Sequence, residues 1–198
     1  TGASEYRGQL LLDLARAEFE DNQTVPSIRY ARRALHLCRK LGALSVANDS
    51  QIEIARNLLE KGRFRTARRT LLAVLQSSRR AGDRWREALV LRELGNLKFR
   101  LADFTGALKR FNRSLELMRL LRLQTEEAIC LHKIGFTNIL LGEFRSGLGS
   151  LKAALDISTV IGDEAGCAVA YLHLGHAHLL LGDKEHARRI LIHATQNA

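Results

Sequence analysis

WREALVLRELGNLKFRLADFTGALKRFNRSLELM, residues 85–118, carries two apolar stripes and one interruption. Leu91, Leu94, Leu97, Phe99 and Leu101 recur at three- and four-residue steps, the spacing of one helical face. Ala102-Asp103 breaks the stripe, and Asp103 is placed to accept amide hydrogens at the next helix start. Ala107, Leu108, Phe111, Leu115 and Met118 then form a second stripe. Sustained alternation and Asn-Gly or Asp-Gly hairpin signals are absent, so the stretch predicts a helix, a tight turn and a second helix.

The same unit repeats outward in both directions. Ala15, Ala55, Gly95, Gly135 and Gly175 stand forty residues apart, each preceded by a large residue from Leu14 to Leu174. Ser27, Ala67, Ala107, Gly147 and Ala187 keep that step, as do Asn22, Gly62, Ala102, Gly142 and Gly182. Small residues at fixed offsets leave room for a neighbouring unit, the mark of stacked repeats. The expectation is an all-α solenoid of five helix-turn-helix repeats, near 4–43, 44–83, 84–123, 124–163 and 164–198. First helices are predicted over 4–20, 44–60, 84–100, 124–140 and 164–180. Second helices are predicted near 25–41, 64–81, 104–121, 144–161 and 184–197. Gly42, Gly82 and Gly162 close three second helices, whereas Arg122 stands at that place in the third unit. No Ser-, Gly- or Pro-rich linker interrupts the series, which predicts one repeat domain over 1–198. Ile190, Leu191 and Ile192 near the last position lead us to expect a slice of a longer protein, or self-association through that end.

Leu91-x-x-Leu94-Gly95-x-x-Lys98 followed by Ala107-x-x-x-Phe111 resembles the tetratricopeptide repeat (TPR) pattern. Tyr171-x-x-Leu174-Gly175-x-x-His178 with Ala187-x-x-x-Leu191 resembles it again, so the likeness covers essentially the whole chain. The unit is longer than the ordinary one of about 34 residues. Lys98, Asn138 and His178 also stand where the family usually has an aromatic. Endings such as Ala81-Gly82-Asp83 and Ile161-Gly162-Asp163 are similar to the forty-residue subclass. The resemblance implies a right-handed superhelix whose first helices line a concave groove that binds other proteins. Carrying that geometry over places Arg16 and Phe19, Arg56, Arg92, Asn96, Phe99 and Arg100 on or near the groove. It likewise places His132, Phe136, Ile139, Leu172 and His176 there. The implied groove is basic in units one to three and apolar in units four and five. Arginine forks suit carboxylates, so the implied ligand is a peptide or helix with acidic and apolar segments. Packing of Phe136, Ile139, Leu172 and Leu179 within the molecule is the competing reading of the apolar half.

Charge is uneven along the chain. The net is +10, yet residues up to Arg122 hold 25 Lys/Arg against 13 Asp/Glu, and the rest hold 6 against 8. Arg29, Arg69, Lys109 and Arg189 share one position of the second helix, and Arg39, Arg79 and Arg119 another. Such ladders fit either a solvated face or an acidic partner. A basic helical array binding nucleic acid is the alternative function, disfavoured because few aromatics interleave with the basic residues.

Other classes find less support. There is no apolar run long enough for a bilayer and no secretory leader pattern, so a cytoplasmic setting is expected. Cys38, Cys130 and Cys167 lack paired spacing and read as buried, reduced thiols. His173, His176 and His178 with His132 include no HExxH, and no metal or other cofactor is expected. No phosphate-cradling glycine loop and no nucleophile signature occurs, so the chain reads as a non-catalytic scaffold, an adaptor or the sensor part of a larger signalling or transcription-regulating protein. Glu53 and Glu93 share a register and read as salt-bridge partners of nearby arginines.

Overall fold

The computed structural model describes residues 2–196, and the side chains of all of these except 193, 195 and 196. Among them the chain forms ten helices and no strand. They are α1 (Gly2–Glu20), α2 (Thr24–Lys40), α3 (Leu44–Glu60), α4 (Phe64–Arg80) and α5 (Arg84–Arg100). The others are α6 (Phe104–Leu120), α7 (Gln124–Leu140), α8 (Phe144–Ile161), α9 (Glu164–Leu180) and α10 (Lys184–Gln196). The predicted spans agree to within one or two residues; position 197 of the last lies outside the described residues.

The agreement has a local cause, because every turn is built the same way. Gly42, Gly62, Gly82, Gly142, Gly162 and Gly182 all have positive φ, and so do Asn22, Ala102 and Arg122. One left-handed residue thus falls at every twentieth position, within repeats and between them alike. At the α5–α6 turn, the Ala102 amide donates to the Phe99 carbonyl and the Asp103 amide to that of Lys98, which satisfies carbonyls left open by the helix end. Arg122 ends α6 in the same conformation, with φ 56°, so the turn geometry overrides the missing glycine. Asp103 accepts from the Gly106 amide and Asp163 from the Gly166 amide, both at 2.9 Å. Lys98 explains its own departure from the aromatic pattern: its Nζ lies 2.6 Å from Asp103 Oδ2. His178, at the same register, lies 3.6 Å from Asp183 and stacks on His186.

The helices group into two compact units, residues 1–97 and 98–198. In the first, α1 packs on α2, α2 on α3, and α1 also meets α3, so first helices lie beside first helices. Leu12, Ala34, Cys38, Val46 and Ala47 form one part of its core. The small-residue register carries a polar bond here: Ser27 Oγ donates to the Ala15 carbonyl at 2.7 Å, and Asn57 Nδ2 donates to Ser27 Oγ at 2.8 Å. In the second unit, α7 and α8 cross so closely that a Cβ on Gly135 would stand 2.9 Å from the Gly147 carbonyl. Ile139, Leu151, Leu174 and Ala177 are buried there together. Cys38 and Cys130 are buried as expected, while Cys167 is only half-buried beside Thr159. Burial, and next the nearby Glu5 carboxylate, raise the Cys38 thiol above its ordinary value.

Candidate functional site

Within the first unit, the first-helix residues predicted to meet a ligand form an internal ion network. Arg56 on α3 donates from Nε to Glu93 Oε1 on α5 at 3.0 Å, and its Nη1 lies 3.5 Å from Glu53 Oε2. Its guanidinium stands 5.9 Å from the ring centre of half-buried Phe19. Both carboxylates are buried, Glu53 at 2% exposure. Burial raises the Glu53 carboxyl above its ordinary value even though Arg56 and Arg16 pull it down. The Glu93 carboxylate, foremost, holds the Arg56 proton more firmly than usual, against the opposing effect of burial. Asn96 Nδ2 donates to the other oxygen of Glu93 at 2.9 Å. Arg86 Nε and Nη2 donate to both oxygens of Asp49 at 2.7 and 2.9 Å, and Nη1 donates to Asp83 as well.

These contacts correct the expected basic groove. Arg92 is buried at 4% exposure, its Nε 4.0 Å from Glu93, so it does not present a fork to solvent. Arg92 and Asn96 both turn to Glu93. Arg56 already holds two carboxylates. Arg16, half-exposed, pairs with Asp13 at 3.3 Å.

In the second unit the corresponding face is aromatic. Phe99 meets Phe104 edge-on at 5.4 Å between ring centres and Phe136 at 5.8 Å. Phe136 meets His173 at 4.3 Å and His176 at 6.3 Å. Nδ1 of His173 lies 2.9 Å from the Val169 carbonyl and 2.7 Å from His132 Nε2. A carbonyl only accepts, so Nδ1 carries a hydrogen and His132 Nε2 faces it as an acceptor. Burial, and after it the neighbouring His173 and Lys133 charges, lower the His132 imidazole to about 3. Burial, foremost, lowers the His173 imidazole as well, so both rings favour the neutral form near pH 7. Beside the rings, α9 exposes Val169, Leu172 (56%), His176 and Leu179 (48%). Arg100, at the end of α5, is exposed.

Ile139 needs a second correction. It is 3% exposed and fills the α7–α8 crossing, where its Cδ1 would meet a Cβ on Gly147 at 2.5 Å. It is core, and the packing reading holds for this residue. Leu172 differs because of its position in the series. Its equivalents Leu12 and Ile52 are buried and His132 is half-buried, Leu12 on a helix that packs against the next first helix. Arg86 is a member of these networks that sequence reasoning missed, and His173 entered it only as one of a histidine cluster. The forty-residue register put Asp49 on the right face, but nothing in the pattern paired it with Arg86.

No family model matches the sequence, and no curated protein matches it either. Among solved structures, the chain is similar to BtubC (BKLC) from P. vanneervenii, with TM-score 0.80 and 17% identity over 98% of this chain and 80% of that one. It is similar to a Rap protein complexed with Competence and Sporulation Factor, with TM-score 0.80 and 16% identity over 98% of this chain and 58% of that one. Nearly identical TPR-like repeats from Podosopora anserina, described as a kinesin light chain, superpose with TM-score 0.71 and 15% identity, covering 98% of this chain and 95% of theirs. The chain has the all-α fold of TPR-like helical-repeat proteins. Among the described residues no helix is long and apolar enough to cross a membrane.

Proposed function

We propose that this chain is a non-catalytic protein-interaction scaffold that takes a helix or peptide of a partner on its first-helix face, as an adaptor or as the sensor part of a larger regulatory protein. The observation that carries the reading is the apolar strip Val169–Leu172–Leu179 on α9, left open next to Phe136. Upstream, the register of Leu172 is filled by residues such as Leu12 that a neighbouring helix covers. An open apolar strip at helical spacing favours a helical occupant with apolar residues at three- and four-residue steps. The Rap protein of similar fold was solved in complex with Competence and Sporulation Factor, which supports ligand capture by such repeats. The ligand's apolar face, rather than its acidic one, engages here, since the first unit's groove arginines are already ion-paired.

Selection of a helical peptide library on the intact chain tests this. Enriched peptides should carry apolar residues at helical spacing and lose about tenfold or more in affinity, roughly 1.4 kcal/mol, with Leu172→Asp/Leu179→Asp. Enriched peptides that bind this variant as tightly as the parent would refute the reading.

A further inference from the structure

The first unit has a second candidate site, away from the first-helix ion network. A cleft of about 500 Å³ opens between α2 and the α3–α4 turn. Its apolar lining is Val25, Ile28 and Leu58; Arg29, Arg32 and Arg33 of α2 and Lys61 and Arg63 of the turn complete it. Among the described residues no carboxylate lines it. Leu58 is buried, whereas Val25 stands 68% exposed at the mouth.

Two features mark these five cations. First, they are not neutralised from within, as some arginines of the series are: Arg79 pairs with Glu87 and Arg119 with Glu127, both at 2.7 Å, and Arg86 with Asp49 and Asp83. Among the described residues none of the five forms an ion pair; Arg29 only leans over the Tyr30 ring, 5.4 Å from its centre. Second, these exposed side chains converge on one cleft that also holds aliphatic groups. Five unneutralised cations around a pocket repel one another, and an anion entering there relieves that repulsion.

We infer that this cleft binds an acidic peptide segment, seating one aliphatic or aromatic anchor on Val25, Ile28 and Leu58 while flanking Asp or Glu side chains engage the arginines. The volume falls within the range of small-ligand sites, about 300–1,000 Å³, and accepts a side chain rather than a whole helix. Planar guanidinium forks at Arg29, Arg32 and Arg33 match carboxylates. Nucleic acid fits less well because, among the described residues, no aromatic ring lines the cleft to stack a base. The expected acidic ligand thus has a place on the chain, on a second helix and a turn rather than among the first-helix arginines.

The test uses the intact chain and a fluorescein-labelled short polyglutamate peptide with one central leucine, read by anisotropy at about 0.15 M salt. Binding should weaken about tenfold or more in Arg32→Glu/Arg33→Glu and several-fold when the leucine is replaced by serine. Arg69→Glu, an exposed α4 arginine outside the cleft, should leave it unchanged. All of these side chains are exposed, and an unchanged melting temperature verifies each variant's fold. Equal affinity in Arg32→Glu/Arg33→Glu, equal loss in Arg69→Glu, or indifference to the leucine would overturn the inference. So would tighter binding of a single-stranded oligo-dT that displaces the peptide, which would make the cleft a nucleic-acid surface. Leu172→Asp/Leu179→Asp should not affect this peptide, so failure here is distinguishable from failure of the α9 reading.

Discussion

Arg56 on α3 and Glu93 on α5 are joined at 3.0 Å, Nε to Oε1, and the same guanidinium reaches back to Glu53. One partly exposed cation thereby compensates two buried carboxylates on neighbouring first helices. Arg56→Met leaves those carboxylates without their main counter-charge. The expected loss is on the order of 3 kcal/mol at pH 7, less than for a fully buried pair because Arg56 keeps some solvent. In the variant both carboxyl groups rise above their unfolded values. The stability they contribute is then present at low pH and falls as pH rises, so denaturation at pH 5 should show a smaller deficit than at pH 7. A deficit that does not shrink on acidification would contradict the network's role.

The His132–His173 contact carries the opposite sign. His132 sits near 3 when folded and near 6.5 when unfolded. Its contribution is fully present above about 6.5 and declines as pH falls towards 3, because only the unfolded chain takes the proton freely. The slope is at most about 1.4 kcal/mol per pH unit. His132→Leu installs the residue type found at the equivalent Leu12 and Leu172 and removes the titrating group. Urea denaturation at pH 7 and pH 5 should show the parent losing stability between them and His132→Leu losing measurably less.

Two glycines of the second unit predict opposite outcomes for one substitution. A Cβ on Gly135 meets the Gly147 carbonyl at 2.9 Å and Leu151 Cγ at 2.7 Å, and the backbone atom cannot move without opening the α7–α8 crossing. Gly135→Ala should cost about 1–3 kcal/mol. Gly149 lies on the exposed side of α8 with nothing within 4 Å of an added methyl. Gly149→Ala should add roughly 0.5–1 kcal/mol through helix propensity alone. Thermal melts of the two variants compare them directly.

Much of the fold is legible in the sequence because the helices have nearly uniform length and each turn reuses one backbone conformation. A forty-residue step in small residues, Gly135 and Gly147 among them, reports close crossings, which admit only small side chains. The candidate site is less legible. Helical spacing puts Arg92 and Ile139 on a face, but how deep each lies depends on neighbours at the crossing, and both are buried. Pairing is harder still: Arg56 could meet a ligand or Glu93, and only the separation of α3 from α5 decides. The basic cleft hides for the same reason, since Arg29 and Arg63 belong to different periodic positions and meet only through the fold.

Ala102 and Arg122 hold φ 57° and 56°, where six other turns have glycine. A side chain in this region crowds the following carbonyl, at roughly 1 kcal/mol per residue. Ala102→Gly and Arg122→Gly relieve that strain, although glycine also enlarges the entropy of the unfolded chain and so returns part of the gain. The net expectation is a stabilisation of about 0.5–1 kcal/mol for each. Gly82→Ala introduces the same strain where φ is 67° and should destabilise by a similar amount, despite open space around the added methyl. Urea denaturation of the three variants should displace the midpoints in these opposite directions. Gly82→Ala matching or exceeding the parent would show that backbone conformation, shared at every twentieth residue, is not what holds these turns.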